Sequence, residues 1–456
     1  MSDLLAARSQ MAVSLMFHIL FAIAGMAMPV LMVASETWWR RTGDPLYLEL
    51  TRRWARGTAI LFAVGAVSGT VLSFELGLLW PRFMRLAGGV IGMPFSLEGF
   101  AFFAEAIFLG IYLYGWNRVS PRAHLAAGVV VAVAGTLSAV FVVSANAWMN
   151  TPAGFELAGG QLTRVRPLAA MLNPAAGPQA LHMVLAAYAA VGFAVAGIHA
   201  AALLRRPGDR FHRAALGIAL VVGAPAALLE PLSGDLLGRM LGAHQPMKLA
   251  AMEGQWRTEA GAPLRIGGMP DPATRTTRGA IEIPAGLSLL AYHDRHAVVA
   301  GLDSVPPADR PNVVLVHAAF QIMAGCGTLL AAAAALAGVT AWRRRGVPDR
   351  RWLLRCLVGT APLGVVAVES GWSVTELGRQ PWIIQGVLRT ADAVTPMPGL
   401  TAPFAVITVV YLALGGIVVH LLRRHVLSTM PPAGGTGLAF LAGHAGHPRE
   451  AGDAGA

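Results

Sequence analysis

Between Arg8 and Glu36 no charged residue interrupts the chain. That run is too long for the apolar core of a signal peptide, and it predicts an uncleaved first membrane helix. Comparable apolar runs follow at about 57 to 79, 95 to 115, 123 to 146, 181 to 204, 214 to 236, 311 to 342, 354 to 377 and 400 to 422. Each is near the roughly 20 residues that a bilayer requires, so the pattern predicts an all-α, polytopic membrane bundle of about nine transmembrane helices. The polar positions divide it into residues 1–236 with helices 1 to 6, a segment at 237–310, helices 7 to 9 at 311–425, and a flexible tail at 426–456. The 237–310 segment, rich in Gly, Pro and charge, is too long for a passive turn.

Composition agrees with the pattern. The 456 residues are 55% hydrophobic and only 13% charged, with a mean hydropathy of +0.58, which excludes a disordered chain and an ordinary soluble enzyme. The net charge of +11 reads as topology and not as a sign of a nucleic-acid partner, because the basic residues sit between the apolar runs. Arginines crowd the loops after spans 1, 3, 5 and 7, from Arg40 and Arg41 through Arg343, Arg344 and Arg345. By the positive-inside rule this places the N terminus and the 237–310 segment outside and the C terminus inside. Two cysteines, Cys326 and Cys356, lie in apolar surroundings without CxxC spacing and read as packing residues. No CxxCH is present to tether a heme covalently.

Ionisable residues within spans are costly and mark pathways or cofactors. His18 in span 1, His182 in span 5, Met323 in span 7 and Glu376 at the end of span 8 are all types that bind heme iron, although each could equally pack. In this topology His18, His182 and Glu376 lie within a few turns of the outer surface, and Met323 lies somewhat deeper in the same half. His124, His199 and His420 fall near inner ends and read as interfacial residues.

In span 3, Glu98 and Glu105 share one helical face about 10 Å apart along the axis, which suits a proton relay or a structural pair. Span 8 repeats the spacing with Glu369 and Glu376, places Trp372 between them and puts Arg379 three residues on, where it could meet a carboxylate or a propionate. Lys248, the only lysine, stands five before Glu253; the two could bind and deprotonate a redox headgroup or form a solvated surface pair.

Together these residues resemble subunit I of the cytochrome bd family of quinol oxidases, from about Arg8 to His425. The resemblance is carried by RSQMAVSLMFH around His18, PFSLEGFAFFAEAIFLGIYLYGW around Glu98 and Glu105, SANAWMNTPAG around Asn146, QPMKLAAMEG in the outer segment and GWSVTELGRQPW around Glu376. It implies two b-type hemes and a third heme, d or b. His182 and Met323 would hold the low-spin heme, and His18 and Glu376 would each hold one of the high-spin pair. It further implies quinol oxidation in the outer segment at Lys248 and Glu253, Trp372 between redox centres, and Arg379 offsetting negative charge. Glu98 and Glu105 would carry protons from the inner side to reduced O2. A second polytopic subunit, a small single-span subunit and a bacterial cytoplasmic membrane are implied as well.

Two positions depart from the family pattern: Gln321 stands where some members have Arg, and the span 3 acids are seven apart where others have eight. The compact outer segment is similar to the short-loop branch, some of whose members are cyanide-tolerant. A proton-coupled transporter would use the buried acids but leaves the motifs unexplained. A di-heme electron-transfer anchor would explain His182 and Met323 but leave His18 and Glu376 without roles.

Overall fold

A computed structural model describes residues 1–427. The helices are α1 (Asp3–Thr42), α2 (Pro45–Leu79), α3 (Pro81–Tyr114), α4 (Pro121–Asn150), α5 (Pro167–Met171), α6 (Ala176–Arg205), α7 (Arg210–His244), α8 (Pro246–Glu253), α9 (Gly286–Tyr292), α10 (Val313–Arg344), α11 (Arg351–Thr360), α12 (Leu363–Leu377), α13 (Thr390–Ala393) and α14 (Thr401–Leu422). Among the described residues, nine spans are long and apolar enough to cross a membrane, with α11 and α12 forming one of them. The bundle is therefore all-α where it meets lipid, as the apolar runs predict. The 426–456 tail falls almost wholly outside the described residues.

Local chemistry explains where the helices begin. Ser2, Asp44, Ser120, Asp209 and Asn312 each accept a backbone N–H bond from the first turn of the helix that follows. Proline at the first turn of α2, α3 and α4 gives up an N–H that has no intrahelical partner there anyway. Several helices extend past the apolar runs. α3 begins at Pro81, well before residue 95, and α7 continues to His244 because Met240 and Leu241 are buried while Arg239 pairs outward with Asp235 at 2.5 Å. The run at 354 to 377 is broken between α11 and α12 at Ala361 and Pro362, where the proline ring stops the ladder.

Packing depends on small residues, as expected where lipid removes the hydrophobic drive for helix association. A Cβ on Gly192 of α6 would lie 2.5 Å from the Gly223 Cα of α7, so only glycine permits that crossing. Large apolar side chains such as Phe74, Phe100 and Leu412 point outward, and the polar groups collect inside.

The long segment after α7 is a folded cap. Antiparallel pairs join Glu259–Ala260 to Val298–Val299, Leu264–Ile266 to Ile281–Ile283 and Met269–Asp271 to Thr276–Arg278. Leu287, Val299 and Leu302 are buried beneath them. Two side chains of α10 hold this cap to the bundle. The His317 ring nitrogens face the Met252 and Gly267 carbonyls at 2.7 and 3.1 Å. Gln321 accepts from Gly267 N at 2.9 Å and donates to the Arg265 carbonyl at 3.1 Å. Gln321 is thus committed to the cap backbone, which gives this departure from the family pattern a structural use.

Candidate heme and quinol site

Helix α8 begins at Pro246 and is closed by Gly254 in the left-handed region at φ +60°. Its short span carries Lys248 and Glu253 into the interior: they are 6% and 1% exposed, which removes the reading of a solvated surface pair. Lys248 Nζ donates to Asn150 Oδ1 at the end of α4. Its stem lies against Gly378, where a Cβ would come within 2.8 Å of Lys248 Cγ. Burial pushes the ammonium down to about 7; Arg379 pushes it the same way and Glu376 opposes. Burial likewise pushes Glu253 up to about 8, partly offset by Arg265, and its Oε2 has no hydrogen-bond partner among the described residues.

A cavity of about 360 Å³ connects this pair to two of the expected iron ligands. His182, Met323, Lys248, Glu253, Trp372 and Glu230 all line it. The His182 Nδ1 hydrogen-bonds with Ser233 Oγ at 2.9 Å and has Glu230 Oε1 at 3.3 Å, which leaves Nε2 as the nitrogen available to a metal. Met323 Sδ fills the notch over Gly371, where a Cβ would stand 3.0 Å away. His18 and Glu376 do not line this cavity.

Glu376 is instead fixed by a polar chain. Asn146 Nδ2 donates to Glu376 Oε1 at 2.6 Å, and Arg379 Nη2 donates to Oε2 at 2.5 Å. Gln179 Nε2 donates to Asn146 Oδ1 at 2.9 Å, and Asn150 Nδ2 donates to the Asn146 carbonyl at 2.9 Å. Since Lys248 donates to Asn150, one continuous network runs from Lys248 through the two asparagines to Glu376. His18 lies between α1 and α2, with Nδ1 3.0 Å from Ser68 Oγ and its ring against Gly69.

The span 3 acids face α4. Ser138 Oγ donates to Glu98 Oε1 at 3.2 Å. Glu105 is 5% exposed in a cradle of glycines, where a Cβ on Gly135 would lie 3.1 Å from both Glu105 Oε1 and the Gly25 carbonyl. Pro29 lies inside α1 four residues after Gly25 and has no N–H to occupy that carbonyl.

The interfacial reading of two histidines is corrected by their burial. His124 is 2% exposed, with Nδ1 3.0 Å from Glu36 Oε1, and Glu36 also accepts from Arg40. His199 is equally enclosed, its Nδ1 2.9 Å from His212 Nδ1. In both cases a buried polar partner on another helix or turn, invisible to a single-span reading, makes the interior tolerable. His420 is exposed; Cys326 is half-buried and Cys356 exposed, so the packing reading does not hold for Cys356.

The residues fit a heme. An imidazole and a thioether face one cavity, the donor set of a low-spin center. Trp372 Nε1 and Arg379 Nε and Nη1 are buried with no protein acceptor among the described residues, and such donors suit an anionic group like a propionate. The supporting residues Ser68, Asn150, Gln179, Glu230 and Ser233 escaped sequence reasoning: the neutral ones carry no period or spacing that marks them, whereas Glu230, an acid inside the sixth apolar run, was a signal of the same kind as Glu98 and Glu105.

Comparisons with known proteins agree with this geometry. A family model described as Cytochrome bd terminal oxidase subunit I matches residues 6–430. A Bacillus subtilis (strain 168) protein with the provisional name cytochrome bd menaquinol oxidase subunit I is 38% identical over 435 residues, covering 93% of this chain and 98% of its own length. Cytochrome bd ubiquinol oxidase subunit 1 of the same organism is 32% identical, covering 93% and 94%. Among solved structures, the bd oxidase from Geobacillus thermodenitrificans superposes with a TM-score of 0.88 at 36% identity, covering 94% of this chain and 99% of that one. With the motifs, the bundle and the cavity all in agreement, the chain belongs to the cytochrome bd terminal oxidase subunit I family.

Proposed function

We propose that this chain is the heme-bearing subunit of a quinol:O2 oxidoreductase in a bacterial cytoplasmic membrane. The observation that carries the reading is the shared cavity, in which Lys248 and Glu253 line the same space as His182 and Met323. A quinol headgroup bound there stands beside the low-spin ligand pair. Lys248 donates a hydrogen bond to a quinol oxygen, and Glu253, unpartnered at Oε2, takes its proton. His182 and Met323 would hold a b heme, with His18 and Glu376 each holding one member of a high-spin pair, a b heme and a third heme, d or b. When bound, these groups carry electrons one at a time to O2.

The chain's own residues do the rest. Trp372 lies between the cavity and Glu376 on α12, and Arg379 neutralises carboxylates around Glu376. Glu105 and Glu98, stacked against α4, hold and pass protons toward that level from the arginine-rich end of the bundle. With the N terminus outside, quinol protons leave at the outer face while O2 takes protons from the cytoplasm, which separates charge without a pump. Subunit II, and a small single-span subunit with it, would cover the apolar faces. The compact 237–310 segment supports a short-loop branch assignment.

A reduced-minus-oxidised absorption spectrum of membranes carrying the complex, repeated with CO, tests the reading. High-spin features that respond to CO are expected. A b-type spectrum without CO response, or no heme bands at all, would overturn it.

A further inference from the structure

One buried polar cluster is used by none of the steps above. Gln10, Ser14 and His18 recur every four residues on one face of α1, and Glu75 and Ser68 stand two turns apart on the facing side of α2. The stripes run antiparallel: Gln10 Nε2 donates to Glu75 Oε1 at 2.8 Å, and His18 meets Ser68 at 3.0 Å. Tyr411 of α14 closes the third side. Its hydroxyl lies beside Ser14 and within the field of Glu75, and its ring stacks on Phe17 at 4.4 Å.

The side chains of Gln10, Ser14, Glu75 and Tyr411 are between 0% and 6% exposed, yet four of their polar atoms make no well-formed hydrogen bond among the described residues: Gln10 Oε1, Ser14 Oγ, Glu75 Oε2 and Tyr411 OH. Buried groups are ordinarily satisfied, by water where protein does not reach. Orphans from three helices converging on one point supply the several partners that an ordered water requires. Glu75 meets Gln10 and Ser14 across α1 and Tyr411 across α14, and has no ion-pair partner among the described residues. Its charge state is therefore free to follow a charge change nearby. The nearest redox position is His18, one turn beyond Ser14.

We propose that Gln10, Ser14, Glu75 and Tyr411 form a hydrated proton-holding site next to His18, distinct from the Glu98 and Glu105 line. Reduction by one electron from quinol of a heme that His18 would hold is matched by net uptake of one proton: internal water passes its proton to the Glu75 carboxylate and is reprotonated from bulk water. The bond formed is O–H on Glu75, and oxidation reverses it. The proposal rests on His18 holding iron.

Redox-difference infrared spectroscopy of the purified complex tests it. A carboxylic C=O stretch that appears on reduction, shifts in D2O and is lost in Glu75→Gln is expected. Tyr411→Phe, a milder change, should move that band without removing it. A Glu75→Gln difference spectrum with every carboxyl band retained, or a Tyr411→Phe spectrum with no displacement, would overturn the proposal. Absence of heme difference bands in the unaltered complex would instead refute the oxidase reading on which it stands.

Discussion

Replacing Lys248 with Met tests the quinol site at the single group on which it most depends. Methionine keeps the unbranched stem that lies against Gly378 and removes the ammonium that donates to Asn150. A hydrogen bond involving a charged partner contributes about 1.5–3 kcal/mol, which corresponds to about 10–150-fold in kcat/KM. Burial pushes Lys248 down to about 7, so at that pH about half the population is charged, and the lower part of the range is the appropriate expectation. The assay is stopped-flow reduction of the hemes by a short-chain quinol, with dithionite reduction as the control for heme content. Slow reduction by quinol beside an unchanged dithionite spectrum is expected. A fall of less than about threefold in kcat/KM, under about 0.7 kcal/mol, would refute the reasoning. Heme loss in proportion to activity would refute it also, because Lys248 would then be a structural group.

Three other perturbations probe separate parts of the site. His182→Ala should abolish the low-spin signal and spare the high-spin features in the reduced spectrum; an unchanged spectrum removes His182 from the ligand set. Gly135→Ala places a Cβ 3.1 Å from Glu105 Oε1 and the Gly25 carbonyl. Overpacking of that kind costs about 1–3 kcal/mol of stability and forces Glu105 to shift, so O2-dependent turnover should fall while quinol reduces the hemes at the unaltered rate; normal turnover argues against a path through Glu105. Burial pushes Glu253 up to about 8, and a base must be deprotonated to accept a proton. Because Lys248, pushed down to about 7, loses its charge over the range in which Glu253 becomes competent, quinol kcat/KM should pass through a maximum between about 7 and 8, and Glu253→Gln should lower it and remove the rising limb; a flat profile in the unaltered complex refutes the assignment.

The sequence made the spans legible because lipid imposes one simple demand, a predominantly apolar run of about 20 residues, and each of the nine runs meets it despite a few charged residues. Motifs named the residues worth examining, but their partners were hidden. Asn146 stood in a recognisable motif, yet nothing in SANAWMN shows that its amide bridges Gln179 and Glu376 across three helices. His124 and Glu36 lie 88 positions apart, so the burial of His124 could not follow from its own span. The cap was the least legible part. Its two- and three-residue strands have no measurable period, and burial of Lys248 depends on Asn150 and Gly378 from distant elements.

Helix α4 explains how these parts act together. His124, Gly128, Gly135, Ser138, Asn146 and Asn150 fall within one face at 3.6 residues per turn. Each meets a group that matters: His124 reaches Glu36, Gly128 accommodates the Tyr112 ring, Gly135 cradles Glu105, Ser138 donates to Glu98, Asn146 donates to Glu376 and Asn150 receives Lys248. At about 1.5 Å per residue the stripe is roughly 39 Å long, comparable to the bilayer with its headgroups. Glycine and serine at its middle let acids from α3 approach, and asparagines at one end, neutral and able to donate and accept, join Lys248 to Glu376 without adding charge. An enzyme that exchanges protons with opposite faces needs a polar line that stops short of either becoming a leak. On the proposed relay, the apolar stretch of α4 between Gly128 and Gly135, with Val131 and Ala134 buried, would supply that interruption, and proton passage there would depend on the protonation and motion of Glu105 and not on a standing chain of polar groups.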